Sequence, residues 1–142
     1  MSYTDPDILE APVYPILFEI QHDGQVVQMI DPTKNFTIRF SIYVPYEIRQ
    51  EIKRRNHYIY VTLSNNGIPI VQKVAPVSVP HSREDRILQF ASQFEAINST
   101  DNDVVNIQVA ITTKHKGEMG ISEALRVCRF INTYIPLENR HE

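Results

Sequence analysis

The most chemically distinctive stretch of the sequence is a cluster of cations at residues 53–57, formed by Lys53, Arg54, Arg55 and His57. Such a cluster can bind the phosphate groups of a nucleic acid or of another anionic partner, because each cation neutralises phosphate charge and releases counterions. The same cations fit the last turn of a short helix, where positive charge complements the helix dipole. Since the helical interpretation accounts for every residue of the stretch, we expect a helix end and keep anion binding as an alternative.

Two further places carry residue types that are used in covalent catalysis. His81, Ser82 and Asp85 have the composition of a catalytic triad, but triad members come from separate parts of a fold, so adjacency in sequence favours a polar loop. Cys128 lies among apolar residues, where a thiol behaves as a small buried hydrophobe. We therefore predict that the protein is not an enzyme and has no catalytic residues.

Cofactor and metal chemistry lack the motifs that they need. The sequence contains neither the glycine-rich dinucleotide motif nor a P-loop. Its single cysteine and five scattered histidines provide no ligand set for a structural zinc site. We expect no cofactor and no metal.

Charge and hydropathy restrict the partner and the compartment. The 142 residues include 14 Lys and Arg against 17 Asp and Glu, a net charge of −3, which disfavours a general nucleic-acid binder. No apolar run is long enough to span a bilayer, so we expect no membrane association. The N-terminal stretch does not have the pattern of a signal peptide. We predict a cytoplasmic protein, in the host cytoplasm or in a particle if it is viral.

Alternation of apolar and polar residues over much of the chain predicts β-strands. The clearest strand, residues 36–44, places its apolar side chains on one face: Phe36, Ile38, Phe40, Ile42 and Val44. Asp23-Gly24 and Asn66-Gly67 lie between alternating segments and supply the positive φ angles that tight hairpin turns require. Such segments at regular spacing are typical of antiparallel sheets.

Seven or eight strands of this kind predict an all-β protein, an antiparallel β-sandwich of immunoglobulin-like or jelly-roll type. One short crossover helix is expected near residues 46–55. We expect an extended N-terminal arm over residues 1–13, a single sandwich domain over residues 14–136 and a C-terminal tail over residues 137–142. The pattern is similar to that of many sandwich modules, including carbohydrate-binding modules and phage-particle decoration domains, and this resemblance implies the architecture alone.

Aromatic residues on the strand faces that point away from the core are the candidates for contact with a partner. They are Tyr43, Tyr58, Tyr60, Phe130 and Tyr134. Exposed aromatic side chains anchor many protein interfaces, and Tyr43, Tyr58 and Tyr60 are also candidates for a sugar-stacking platform. The last strand carries apolar residues on both faces, as a strand covered by another body would.

These observations lead to three hypotheses for the function. We expect a non-enzymatic structural or protein-interaction module that docks into a larger assembly, such as a virus-like or phage-like particle or another multiprotein complex. Self-association or a protein partner would provide the contact. The first alternative is a carbohydrate-binding sandwich that uses exposed tyrosines. The second is binding of an anionic partner or nucleic acid through residues 53–57.

Overall fold

In the computed structural model, the described residues are 14–54, 56–65, 67–77, 87–97, 104–112 and 129–138, and they form eight strands and one helix. The strands are β1 (Tyr14–His22), β2 (Gln25–Val27), β3 (Phe36–Tyr43), β4 (Tyr58–Asn65), β5 (Ile68–Pro76), β6 (Ile87–Phe94), β7 (Val104–Thr112) and β8 (Arg129–Pro136). The helix α1 (Tyr46–Arg54) connects β3 to β4. The predicted N-terminal arm lies outside the described residues.

The strands form two antiparallel sheets of four strands each. Sheet 1 has the order β2-β1-β3-β6, and sheet 2 has the order β5-β4-β7-β8. Apolar side chains from both sheets form one buried cluster, which is the core between them. The prediction of an all-β antiparallel sandwich is therefore confirmed.

The alternating apolar residues of β3 face the core, as predicted. Its apolar face is buried in the core, and the same holds for the alternate apolar residues of β7, which are Val105, Ile107, Val109 and Ile111. Because β3 pairs with β6, two pairs of phenylalanine rings stack across these strands. The ring centroids of Phe36 and Phe94 are 5.4 Å apart, and those of Phe40 and Phe90 are 5.2 Å apart. These stacks fill the sheet 1 side of the core.

The predicted crossover helix is confirmed as α1. Its first turn is closed by a hydrogen bond from the Arg49 N–H to the Pro45 carbonyl at 3.0 Å. Ile52 is buried in the core, whereas Lys53 and Arg54 lie exposed in the last turn. One apolar anchor and cations at the C-terminal end explain why this stretch departs from the β pattern around it.

The loop that follows β2 is attached to the end of β8. Ile30 is fully buried, donates its N–H to the Pro136 carbonyl at 3.0 Å, and accepts from the Glu138 N–H at 2.8 Å. Leu137, which the sequence places in the C-terminal tail, is buried in the core and forms a parallel bridge with Ile30. This attachment links a loop of sheet 1 to the last strand of sheet 2.

The β1–β2 hairpin turn confirms the Asp23-Gly24 prediction. Asp23 has φ of 50° and Gly24 has φ of 80°, as a type I′ turn requires at both central positions. A Cβ added to Gly24 would meet nothing within 4 Å, so only the backbone conformation opposes a larger residue there.

We expect Gly24→Ala to destabilise the fold by about 1–2 kcal/mol, because a residue with a Cβ adopts this left-handed conformation at that cost. Urea unfolding measures the change. Gly24→Asn is the matched control, since asparagine tolerates positive φ and should lose less stability than alanine. Equal stability of Gly24→Ala and the wild type would contradict the turn geometry.

Candidate functional site

The predicted aromatic contact residues are divided between the outer faces of the two sheets. Tyr43 lies on the outer face of sheet 1, whereas Tyr58, Tyr60 and Tyr134 lie on the outer face of sheet 2. The two outer faces point in opposite directions because the core lies between the sheets. Tyr43, Tyr58 and Tyr60 therefore cannot form one stacking platform for a sugar.

Tyr60 is buried, although an exposed side chain was expected. Tyr60 is only 1% exposed. It packs with Ala110 and with the half-buried Tyr58 and Val74 in a second, smaller apolar cluster. This cluster lies on the face of sheet 2 that points away from the main core. The sequence places Tyr60 on the correct face, but burial removes it from direct contact with a partner.

The two aromatic candidates of the last strand have different outcomes. Tyr134 is 68% exposed and lies opposite Asn106 of β7. Phe130 lies in β8 at a register irregularity between Arg129 and Ile131, and its side chain is outside the described part of the structure. Of the two, Tyr134 is the one that the structure shows accessible to a ligand or partner.

The cation cluster is only partly displayed on the surface. Lys53 and Arg54 are exposed on α1, Arg55 lies outside the described residues, and His57 is 3% exposed. The buried imidazole of His57 cannot contact a phosphate without a change of the fold. Two exposed cations at a helix end match the structural interpretation of this stretch.

A contiguous apolar surface lies on the outer face of sheet 1, exposed except for the half-buried Tyr43, and we call it the apolar patch. It consists of Tyr14, Leu17, Tyr43 and Ile87. Tyr14, Tyr43 and Ile87 are cross-strand neighbours in one row over β1, β3 and β6, and Leu17 belongs to the next row. Tyr14, Leu17 and Ile87 are 52%, 39% and 43% exposed, and the rings of Tyr14 and Tyr43 are 6.3 Å apart.

Beyond the patch, the outward-facing residues of β1 and β3 are polar. Arg39 forms an ion pair with Glu19 at 3.5 Å, and Gln21 donates a hydrogen bond to Glu19 at 3.3 Å. The apolar patch therefore borders a polar surface on the same three strands. The sequence analysis did not identify Tyr14, Leu17 and Ile87 as contact candidates. The signal that could have identified them is an apolar residue at a strand position that faces away from the core.

A polar cleft of about 570 Å³ lies where β1, β3 and β6 meet the hairpin turn. Its lining includes Asp23, Asn35, Gln93 and Glu95, together with Lys73 of β5. The Lys73 Nζ lies 6.0 Å from the centroid of the Phe94 ring. A cleft of this size can hold a small polar ligand. Among the described residues, its lining has no histidine or cysteine, the residue types that most often carry acid–base or nucleophilic chemistry.

His22 serves the fold rather than chemistry. Its Nδ1 lies 2.9 Å from the Asn35 carbonyl oxygen, and its Nε2 accepts the backbone N–H of Asp31 at 2.9 Å. Because a carbonyl can only accept and an N–H can only donate, the ring carries its proton on Nδ1. Both ring nitrogens are thus used to hold the loop between β2 and β3.

The described part of the chain contains no cluster of metal ligands and does not include the triad-like residues. Among them, no group of three His, Cys, Asp or Glu side chains could hold a metal ion. The triad-like residues His81, Ser82 and Asp85, and also Cys128, lie outside the described ranges. In that same described part of the chain, no helix is long and apolar enough to cross a membrane.

Comparison with known proteins leaves the family open. No protein-family model matches the chain, and no curated protein is significantly similar to it. The argument for a function therefore rests on the surfaces described above.

Proposed function

We propose that this chain is a non-enzymatic structural or protein-interaction module that docks into a larger assembly through the apolar patch. The observation that carries the proposal is the row of Tyr14, Tyr43 and Ile87, which is contiguous over three strands. Tyr14 and Ile87 are exposed, and Tyr43 between them is half-buried. We further propose that the protein is located in the cytoplasm, or in a virus-like or phage-like particle assembled there.

The patch has the composition of an interface centre. Contiguous exposed apolar surface marks interaction sites, because water is released when such surface is covered. Tyrosine is enriched at such centres, and the surrounding rim of an interface is polar. Two tyrosines, a leucine and an isoleucine bordered by Glu19 and Arg39 fit this arrangement.

Several strand edges are poorly suited to pairing with a further strand, which favours association by the face of sheet 1. The edge strand β5 contains Pro69 and Pro76, and the edge strand β2 has only three residues. Proline and very short edge strands disfavour the pairing of a further strand. The end of β8 is already engaged by Ile30. These features disfavour pairing at β2, at β5 and at the end of β8, whereas the edge strand β6 has neither a proline nor a short length.

The strand order supports the immunoglobulin-like alternative for the sandwich. In that topology the second strand pairs with the first and the fifth, and the third pairs with the sixth, which pairs with the last. Here β3 pairs with β1 and β6, β4 pairs with β5 and β7, and β7 pairs with β8. With β2 counted as an addition to the first strand and β5 as a fourth strand that pairs with β4 instead of β6, the other pairings agree.

Light scattering after size exclusion tests the proposal, in a concentration series at low and high salt. We expect an oligomer at both salt levels, because apolar burial is not screened as ion pairs are. Ile87→Glu should weaken the association about tenfold or more, since it places a charge within the patch. Ile68→Glu is the matched control, because Ile68 is equally apolar and exposed on β5 of the other sheet.

Association that Ile87→Glu leaves unchanged would argue against the patch as the docking surface. A chain that stays monomeric at every concentration would exclude self-association. The docking partner must then be a different protein, and its binding must be lost in Ile87→Glu and retained in Ile68→Glu.

A further inference from the structure

The edge strand β6 differs from the other edge strands of the sandwich. In the described part of the chain, β6 pairs with β3 on one side and with no strand on the other. Its eight residues, ILQFASQF, include no proline and no charged residue. Natural proteins protect exposed edges with short strands, prolines or charges, because a row of unpaired N–H and C=O groups is a template for a further strand. The strand β6 has none of these three protections.

The free side of β6 is accessible. On the outer face of sheet 1, Gln89, Ala91 and Gln93 are all exposed. Because the side chain of Ala91 is a single methyl group, its exposure means that the middle of the strand is uncovered. On the inner face, Phe90 is only half-buried, whereas Phe40 opposite it on β3 is fully buried. The loss of burial from β3 to β6 marks β6 as an open side of the sandwich.

The sequence of β6 is suited to antiparallel pairing with an identical strand. A two-fold axis places each residue opposite a defined residue of the second copy, and every such pair occurs twice. About an axis at Ala91, the pairs are Gln89 with Gln93, Phe90 with Ser92, and Leu88 with Phe94. Each pair joins residues of the same face, because successive side chains of a strand alternate between faces. Both copies therefore keep their cores on the same side of the joined sheet.

These pairs are chemically compatible. Two glutamines on the outer face can exchange an amide N–H donor and a carbonyl acceptor. Phe90 lies beside a serine, so a large side chain meets a small one. Ala91, which has the smallest side chain of the strand, is the residue that must lie beside its own copy at the axis. Since β6 is uncharged, no like charges oppose each other along the paired strands.

We propose that β6 pairs with β6 of a second copy of this chain, antiparallel and two-fold symmetric about Ala91. The pairing joins two four-stranded copies of sheet 1 into one sheet of eight strands. A second copy fits this edge better than a foreign extended peptide, because one contact covers the unprotected edge of both molecules. An added foreign strand would itself become a new exposed edge. The two-fold contact also closes, so it produces a dimer and not a filament.

This contact is distinct from docking through the apolar patch. The pairing runs from Leu88 to Phe94 and uses backbone groups at the edge of sheet 1. The patch lies on the outer face, and its member Ile87 is beyond the paired residues. The proposal therefore does not rest on the function proposed above, and each can fail without the other.

Opposite charges at the axis test the proposal. Ala91→Lys and Ala91→Glu each place like charges on residues whose Cβ atoms lie about 5 Å apart across the axis. Each variant alone should therefore associate about tenfold or more weakly than the wild type in analytical ultracentrifugation. An equimolar mixture should recover the association, because lysine then faces glutamate, and this recovery also shows that both variants are folded. Arg39 lies opposite residue 91 on β3 in every sample, so its effect is common to the mixture and to the separate variants.

Leu17→Glu is the matched control for these charges. Leu17 is exposed on the outer face of the same sheet, but it belongs to β1 and not to the free edge. Leu17→Glu should therefore form the β6 dimer as the wild type does. The same variant should lose docking through the apolar patch, so the two contacts are measured separately.

A disulfide tests the register. Ala91→Cys should give a disulfide-linked dimer under mild oxidation, because opposite residues of antiparallel strands have Cα atoms about 4.5–5.5 Å apart, within the span of a disulfide. Gln89→Cys is the matched control, since Gln89 is also exposed on the outer face of β6. In this register the two copies of residue 89 are four residues apart, about 14 Å along the strand, and should not be linked. The wild type, with Cys128 as its single cysteine, gives the background.

Four results would overturn the proposal. They are a wild type that stays monomeric, association of both charged variants as strong as that of the wild type, a mixture that associates no better than its components, and Gln89→Cys linked as readily as Ala91→Cys. A monomeric wild type would still allow a different protein to dock on the apolar patch. Failure of patch docking has another signature, which is unchanged binding of every partner by Leu17→Glu.

Discussion

Phe40→Ala should destabilise the protein by about 3–5 kcal/mol, which is the usual loss when a fully buried aromatic residue is truncated in a core. Phe40 is at the centre of β3 and is completely inaccessible to solvent. Its ring stacks on Phe90 of β6 with centroids 5.2 Å apart and planes inclined by 22°. Removal leaves a cavity that neighbouring strands cannot close without breaking their pairing. Urea unfolding followed by circular dichroism measures the loss.

The partner ring provides the control for this prediction. Phe90 is only half-buried, so Phe90→Ala should lose less stability than Phe40→Ala. A double-mutant cycle over the two positions should give a coupling of about 0.5–1.5 kcal/mol from the stacked rings. A loss below about 1 kcal/mol for Phe40→Ala would place this side chain outside a packed core and would contradict the sandwich.

Tyr60→Ala should be nearly as damaging, with an expected loss of about 3–5 kcal/mol, because Tyr60 is a large buried side chain outside the main core. Tyr134→Ala should change the stability by no more than about 0.5 kcal/mol, since exposed side chains contribute little to folding. The two tyrosines lie on the same face of sheet 2, so a difference in stability between the two variants reflects burial and not the face of the sheet. Thermal and urea unfolding of both variants measure it.

Tyr60→Phe separates the ring of Tyr60 from its hydroxyl. It keeps the packing with Ala110 and Val74, so most of the stability should return. The remaining loss measures the contribution of the hydroxyl, which is about 0.5–1.5 kcal/mol for a typical hydrogen bond. Equal, small effects of Tyr60→Ala and Tyr134→Ala would show that Tyr60 is accessible. That result would restore Tyr60 as a candidate contact residue.

The features predicted correctly from sequence are those that local geometry specifies. Alternation in β3 fixes which residues face the core, because successive side chains of a strand point to opposite sides. Asp23-Gly24 predicts its turn, since few residue pairs adopt two positive φ angles in succession. The helix α1 follows from the spacing of its apolar residues and the cations of its last turn. Each of these signals is contained within a few consecutive residues.

The candidate sites depend on contacts between residues that are distant in sequence. Tyr43 and Tyr58 are separated by a single helix, yet they lie on opposite outer faces, because α1 carries the chain from sheet 1 to sheet 2. The apolar patch exists only because the register of β1, β3 and β6 aligns Tyr14, Tyr43 and Ile87. No spacing within the sequence encodes that alignment.

The polar residues on the outer face of sheet 2 illustrate the same division. Period-two spacing is enough to place Asn132 and Tyr134 on one face of β8, and Asn106 and Gln108 on one face of β7. Their cross-strand register determines that Asn106 meets Asn132, and a slip by one residue would turn every one of these side chains to the opposite face. The amino-acid sequence therefore determined the strands, the hairpin turn and the facing of each residue. The pairing of strands, which is a long-range property, decided which surfaces are apolar, which polar groups are oriented and which tyrosines are exposed.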